Sequence, residues 1–310
     1  MMSTPGTVSV VIPTYNRAEV LGKSIDSALA QTYENVEVVV VDDASMDKTE
    51  RLVGEYGGDI LYHCFEENQG ANAARNKGIE LAEGAFVAFL DADDYWRPEK
   101  LERQMQAFEN APDYCGLVHT AIEIQNFDGE TIDKVPTTSP DDPKRRLLLG
   151  DYVGTFSSVV VKSRVFDTIK PLKRELPSWQ DWEFYLRVAD KYDFRAVDDH
   201  LTVKRSGKDD QISKNLEPLL ETTYPFFESK IRRDAAAYGA MFKRRALARL
   251  RMEVGDAALV NRDTKTARRY FLSGLAAYPF ESKLVAYFLL SLFGMNAYDA
   301  ALKARRMVTT

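Results

Sequence analysis

The stretch VSVVIPTYNRAEVLGKSIDSALAQTYENVEVVVVDDAS, Val8 to Ser45, decides the architecture of this chain. VSVVIP and VEVVVV are continuous β-branched runs, the pattern of strands covered on both faces of a largely parallel sheet. Between them Leu21, Ile25, Ala28 and Leu29 recur at helical spacing. The spacing predicts strand, crossover helix and parallel strand. Each apolar run ends in a polar cluster, PTYN after the first and DDAS after the second.

Working outward, the alternation continues through DILYHCF (Asp59–Phe65), a helix from about Gly70 to Ala82 and AFVAFL (Ala85–Leu90). This reads as an α/β fold with a doubly wound, mixed and mostly parallel sheet. Ligands of such sheets bind at the carboxyl ends of the strands. A third polar cluster falls there: VAFLDADDYW sets Asp91, Asp93 and Asp94 within four residues of a buried run. Crowded carboxylates repel one another unless a cation, a proton or open water relieves them. Asp91 and Asp93 are separated by one residue, so on extended chain both face one cleft. They offer hard oxygen ligation suited to Mg2+ or Mn2+, with a phosphate completing the shell. The bland alternative is a solvated acidic turn.

Pro98 and Glu99 suit a helix start. Strands follow at CGLVHTAIEIQ (Cys115–Gln125) and SSVVVK (Ser157–Lys162), separated by the turn NFDGE and the polar TTSPDDPKRR segment. A helix at WQDWEFYLRVADKY (Trp179–Tyr192) then precedes strands FRAV and LTVKR. The α/β domain is expected over 1–215. From Leu216 the chain turns alanine-, leucine- and arginine-rich, so 216–310 is expected as a helical C-terminal appendage. Its DTKTARRYFLSGLAAYPFESKLVAYFLLSLFG segment reads as a hairpin broken at Pro279 that resembles one tetratricopeptide-like unit, though a solenoid needs about three repeats.

The 310 residues, 45% of them hydrophobic, support a substantial core, and a net charge of −6 argues against nucleic acid as a partner. Cys64 and Cys115 match neither a zinc spacing nor a disulfide framework and read as buried thiols. The opening MMSTPGTVSV lacks a basic region followed by a long apolar run, so a cytoplasmic location is expected. LVAYFLLSLFG (Leu284–Gly294) falls short of the about 20 residues of a spanning helix. It is read as a buried helix or, with KARR nearby, as a peripheral contact at the membrane face.

The opening stretch, continued to Thr49, together with NQGANAARNKGIELAEGAFVAFLDADDYWRPEKLERQ (Asn68–Gln104), resembles the nucleotide-binding half of the family 2 glycosyltransferases, whose fold is called GT-A. The resemblance is close over roughly residues 8 to 110 and looser to about 215. It implies a nucleotide-sugar donor, usually a UDP-sugar, and a divalent metal. Pro13, Thr14 and Tyr15 match the first nucleotide loop, and Asp43 the position that hydrogen-bonds the uracil edge; Asp42 reads equally well as a turn acid. Asn68, Gly70, Arg75 and Asn76 match the family's NxGxxxARN helix start. Arg75 either reaches base or phosphate or pins the strand-end loops through a salt bridge; Gly70 and Gly78 suit helix entry and close packing. Asp91 and Asp93 correspond to the DxD signature, Asp93 as direct metal ligand and Asp91 toward the ribose or a metal-bound water.

PSWQDWEFYLRVAD matches the segment where the family keeps its base for the acceptor hydroxyl, often a Glu-Asp pair. Asp181 falls on the second member as the expected catalytic base, and Gln180 replaces the first. Ser178 with Asp181 also resembles a helix capping box. Trp182 belongs to an apolar helix face, Trp179 is the better acceptor-site candidate, and Trp96 suits either site or core. The SGKDDQIS loop lacks the histidine that some relatives use on the metal, leaving Lys204, Arg205 or Lys208 as candidates for the diphosphate; His63, His119 and His200 read as structural.

The expected activity is therefore metal-dependent, inverting sugar transfer from a nucleotide diphosphate sugar to a glycan or lipid-linked acceptor hydroxyl, in glycan or polysaccharide biosynthesis. A nucleotidyltransferase would need a glycine-rich phosphate loop that PTYNRAEV lacks. A non-catalytic sugar-nucleotide scaffold would have no use for Asp181.

Overall fold

The computed structural model describes residues 4–207 and 216–295. The chain divides into two compact units. One comprises Met1–Asp141, Val153–Arg174 and Asp181–Gly207; the other comprises Asp142–Tyr152, Glu175–Gln180 and Lys208–Thr310.

The first unit holds β1 (Thr4–Thr14), α1 (Ala18–Leu29), β2 (Val36–Asp42), α2 (Thr49–Gly54), β3 (Ile60–Cys64), α3 (Ala71–Leu81) and β4 (Gly84–Phe89). It continues with β5 (Tyr95–Trp96), α4 (Lys100–Glu109), β6 (Cys115–Gln125) and β7 (Thr131–Val135). Among the described residues these strands form, with β8 (Val159–Lys162) and β9 (Asp193–Arg205), one nine-stranded mixed sheet, ordered β3-β2-β1-β4-β8-β6-β9-β5, with β7 on β6. Pairing is parallel from β3 through β4. It turns antiparallel where β8 enters between β4 and β6. FRAV and LTVKR fall on a single strand, β9, whose register against β6 shifts at three points.

The β-branched runs are buried as their composition requires: Val8, Val10, Ile12, Val38 and Val40 pack with Leu21, Ile25 and Ala28 of α1 in one core. Leu29, on the edge of that helix face, is 43% exposed. Gly78 of α3 lies against β1, where an added Cβ would stand 2.2 Å from Val11 Cγ1. Cys115 is buried, but Cys64 is exposed. The expectation of two buried thiols fails at Cys64 because, among the described residues, β3 is an edge strand paired only to β2.

The polar segment before residue 146 forms a short helix, α5 (Pro143–Leu147), entered by Pro143 and capped by Asp142, whose Oδ1 accepts the Arg145 N–H at 2.8 Å. It belongs to the second unit, where Lys144 meets Asp234 at 3.1 Å. Helices α6 (Arg164–Thr168) and α7 (Gln180–Val188) precede β9. The second unit continues with α8 (Leu216–Pro218), α9 (Tyr224–Asp234), α10 (Ala240–Val260), α11 (Thr264–Ala277) and α12 (Ser282–Leu292). The last two form the hairpin around Pro279. Leu284 is buried, while Val285, Leu289, Leu292 and Phe293 are exposed, so this stretch is not a fully buried helix. No described helix is long and apolar enough to cross a membrane.

His119, fully buried on β6, bonds through Nδ1 to Thr137 Oγ1 at 2.7 Å, and burial lowers its pKa from 6.5 to about 3. The fold keeps it neutral while the unfolded chain binds a proton, so its contribution is full above pH 6.5 and is lost as pH falls toward 3. The loss is roughly 1.4 kcal/mol per pH unit in that window. The stability of wild type minus that of His119→Asn, measured by urea unfolding, should fall with that slope between pH 6.5 and 4.5. A pH-independent difference would remove His119 as the source.

Candidate active site

The ends of β2, β1 and β4 make one rim. Thr14 stands opposite Asp42, Asp43 N–H continues the ladder to Thr14 O at 2.8 Å, and Leu90 N–H reaches Val11 O at 3.0 Å. Beyond the rim, the loops after β1 and β2 are interlocked. Asn16 N–H donates to Ser45 Oγ at 2.8 Å, Met46 N–H to Asn16 Oδ1 at 2.8 Å, and Ala18 N–H to Asp47 Oδ2 at 3.0 Å. Asn16 and Ala44 take left-handed φ values of 51° and 64°. For a non-glycine residue such backbone costs free energy and persists only where surroundings enforce it.

Of the three residues expected in the first loop, Pro13 lies in the β1 ladder opposite Val41, Thr14 is buried and Tyr15 is 41% exposed. Among the described residues Thr14 Oγ1 has no hydrogen-bond partner. A buried unsatisfied hydroxyl is costly, and a ligand at the rim would supply its partner.

The two acids after β2 have separate tasks. Asp42 accepts from Ser45 N–H at 2.9 Å and from the Tyr62 hydroxyl at 2.8 Å, as a turn acid does. Burial, reinforced by Asp42, raises the Tyr62 pKa. Asp43 is buried and accepts from Gln69 N–H at 2.7 Å and Gly70 N–H at 2.8 Å. It thereby ties the end of β2 to the entry of α3, where Gly70 at φ 92° makes the helix cap. A carboxylate has about four acceptor sites, and these bonds among the described residues use two of them.

Helix α3 carries Arg75 beneath the β4 acids. Its Nη2 lies 2.6 Å from Asp91 Oδ1, its Nη1 donates to Asn72 Oδ1 at 2.9 Å, and its guanidinium covers the Phe156 ring at 4.6 Å. The geometry found is thus the salt bridge that pins the strand-end loop. Asn68 is exposed. Asn72 and Asn76 anchor the chain at 172–173: Asn72 Nδ2 donates to Lys173 O at 2.7 Å, while Asn76 exchanges bonds of 2.9 and 2.8 Å with Leu172.

The three clustered acids are relieved differently. Asp91 has Arg75. Asp94 is buried and pushed up to about 8 by burial, then by Asp93 and Asp91. It accepts from Ser157 Oγ at 2.6 Å and Arg205 N–H at 3.0 Å. Asp93 is raised by burial, then by Asp91, with Arg17 and Arg205 opposing. Arg205 Nε donates to Asp93 O and Nη2 to Val20 O at 3.2 Å, so Arg205 holds loop backbone. No group of three or more His, Cys, Asp or Glu side chains among the described residues could hold a metal ion. Asp93, whose charge is disfavoured by burial and by Asp91, still fits a divalent cation together with Asp91, the remaining ligands being phosphate and water oxygens.

Ser157 and Thr155 join this cluster from a segment that the sequence offered only as the start of a strand. Ser157 Oγ accepts Asp91 N–H at 3.1 Å while donating to Asp94, and Thr155 Oγ1 lies 3.4 Å from Asp91 Oδ2. The one available signal was the run of small hydroxyl residues in GTFSS. Trp96, undecided from sequence, is core: buried, with Nε1 donating to Ser157 O at 2.8 Å.

Asp181 lies in the first turn of α7, half-buried, its Oδ1 accepting Trp182 N–H at 2.8 Å. Burial raises its pKa; Trp182 N–H, Lys204 and Arg75 oppose, and Asp91 adds to the rise. Asp91, Arg75 and Lys204 are therefore within electrostatic reach of Asp181. The Ser178 hydroxyl pairs with Thr223 Oγ1 at 3.0 Å, so the capping-box residues have other partners. Trp182 is buried. Trp179, at φ 54°, sets its ring edge-on to Phe227 at 5.4 Å within the helical unit. Lys204 is exposed, His63 packs edge-on to Phe65, and His200 lies on β9. Lys208 and the loop residues after it lie outside the described residues.

The chain matches the family model described as Glycosyl transferase family 2 over residues 9–166. An uncharacterized glycosyltransferase of Nostoc sp. is 40% identical over 136 residues, 43% of this chain and 42% of that protein, so the chain spans less than half of that relative. Its structure is similar to S. aureus TarS in complex with UDP-GlcNAc, with TM-score 0.60 and 17% identity over 95% of this chain and 92% of that one. It is also similar to the mannosyltransferase PcManGT from Pyrobaculum calidifontis in complex with GDP-Man and Mn2+, with TM-score 0.59 and 18% identity over 97% and 86%. At those identities the likeness is one of fold, GT-A.

Ser157→Ala removes a donor from buried Asp94 and an acceptor from Asp91 N–H. Unsatisfied buried groups of this kind cost about 1–3 kcal/mol, so calorimetry should show a lowered Tm; an unchanged Tm would mean that the loop does not depend on this hydroxyl.

Proposed function

Because the chain belongs to glycosyl transferase family 2, we propose that it moves a sugar from a UDP-sugar donor to an acceptor hydroxyl with inversion. The acceptor is a glycan or lipid-linked glycan in polysaccharide biosynthesis, and the enzyme works at the cytoplasmic face with peripheral membrane contact. The supporting observation is the electrostatic reach between Asp181 and Asp91, which in turn acts on Asp93, in the unit whose strand ends also carry Thr14 and Asp43.

In this reading Thr14, Tyr15 and Asp43 receive the nucleoside, with Asp43 turned toward the base edge. Asp93, with Asp91, would hold Mn2+ or Mg2+, and the bound ion would supply positive charge against the diphosphate. Arg75 keeps Asp91 in place and Ser157 fixes the loop. Asp181 takes the acceptor proton, and the acceptor oxygen attacks the anomeric carbon from the side opposite the leaving group. The rise in its pKa makes Asp181 a stronger base. Gln180 beside it spares it the repulsion of a second carboxylate.

A non-catalytic sugar-nucleotide binder would share the donor cleft but not need Asp181, so the two readings part at one residue. Asp181→Asn should retain nucleotide-sugar thermal stabilisation and lose transfer by about 100- to 10,000-fold. Asp93→Ala should lose the part of that stabilisation that Mn2+ or Mg2+ adds and chelator removes. Wild-type turnover by Asp181→Asn would falsify the base.

Since transfer needs ionised Asp181, its rate should drop as pH falls through a value above the ordinary 3.8. A transfer rate measured against pH that stays flat down to that ordinary value would contradict the burial.

A further inference from the structure

The helical unit carries charge opposed to that of the whole chain. Residues 216–310 hold sixteen lysines and arginines against nine aspartates and glutamates, while the chain is at −6. The excess concentrates at the α9–α10 turn, in RRDAAAYGAMFKRR (Arg232–Arg245), which holds five cations and one acid; Arg232 also pairs with Glu228 at 3.0 Å and Arg245 with Glu281 at 2.9 Å. That acid, Asp234, is already neutralised: Lys144 and Lys230 approach it at 3.1 Å and Arg233 at 2.8 Å. Against the upward push of burial they hold its carboxyl down to about 2.

Two features give this turn the character of an interface. The side chains of Arg232 and Arg233 are 56% and 71% exposed, and Arg244 and Arg145 are exposed as well. Arg145 of α5 lies 5.9 Å from the Tyr238 ring and 5.3 Å from that of Phe242, adding its charge to the same face. Between the cations the tip is apolar: Ala236, Ala237, Ala240 and Met241 are all exposed, Met241 at 60%.

We propose that the α9–α10 turn docks the enzyme on a membrane surface bearing anionic phospholipid. The arginines and lysines meet the headgroup phosphates while Met241 and the alanines enter the headgroup–acyl boundary. Each cation near such a surface contributes favourably, and an apolar tip framed by cations is the composition of an interfacial segment. A soluble polyanion would satisfy the arginines but offer nothing to Met241. A second copy meeting through the same face would set like charges together. The exposed stripe of α12 fits such a surface less well, because Lys283 is the one cation within that helix. The inference rests on the proposed peripheral location, and its test does not read sugar transfer.

The full chain is co-sedimented with phosphatidylcholine vesicles, with and without phosphatidylglycerol. Binding is expected only with phosphatidylglycerol and should weaken with salt. Lys243→Gln and Arg244→Gln should each lower partitioning about fivefold, and Met241→Ser should lower it further, with unfolding and donor hydrolysis unchanged in all three. No binding to phosphatidylglycerol vesicles, or binding indifferent to all three substitutions, overturns the proposal. So does full displacement by soluble polyphosphate together with wild-type binding by Met241→Ser, which would make the face a polyanion site.

Discussion

Electrostatic repulsion among Asp91, Asp93 and Asp94 is the constraint around which the α/β unit is arranged. A buried strand ends in three acids, and the fold gives each a different surrounding. One receives a guanidinium from α3, one is sealed beneath Ser157 and the Arg205 backbone, and one is left strained by its neighbours. The helix entry set by Asp43, the asparagines anchoring 172–173 and the hydroxyls of the 155–157 turn all hold these surroundings in place. Charge that the protein does not itself neutralise is where a ligand finds its affinity.

Much of this fold was legible because the parallel strands are buried on both faces and so announce themselves as unbroken β-branched runs. What escaped lacked a pattern to carry it. Two-residue β5 is too short to show a period, and β7, TIDKV, is an edge strand with no buried residue. Helix α5 is five residues long, hidden in a polar stretch where Pro143 reads equally well as a turn. Cys64 looked buried because its run is apolar, yet edge position decides exposure.

The site divides along the same line. Acids at strand ends are visible in sequence because topology brings strand ends together. Partnership is not visible: Arg75 could have served ligand or loop, and Ser157 acts on residues 63 and 66 positions away. Such pairings exist only after packing, and no local spacing encodes them.

Gly78 shows how far a missing carbon can reach. With no Cβ between it and Val11, α3 rests directly on β1. The same helix carries Arg75 three residues earlier, turned to Asp91, and Asn72 six residues earlier, which accepts from Arg75. The height of that helix above the sheet therefore sets whether a guanidinium meets its carboxylate. A fault in plain hydrocarbon packing would surface, some residues away, as a loss of grip on an anion.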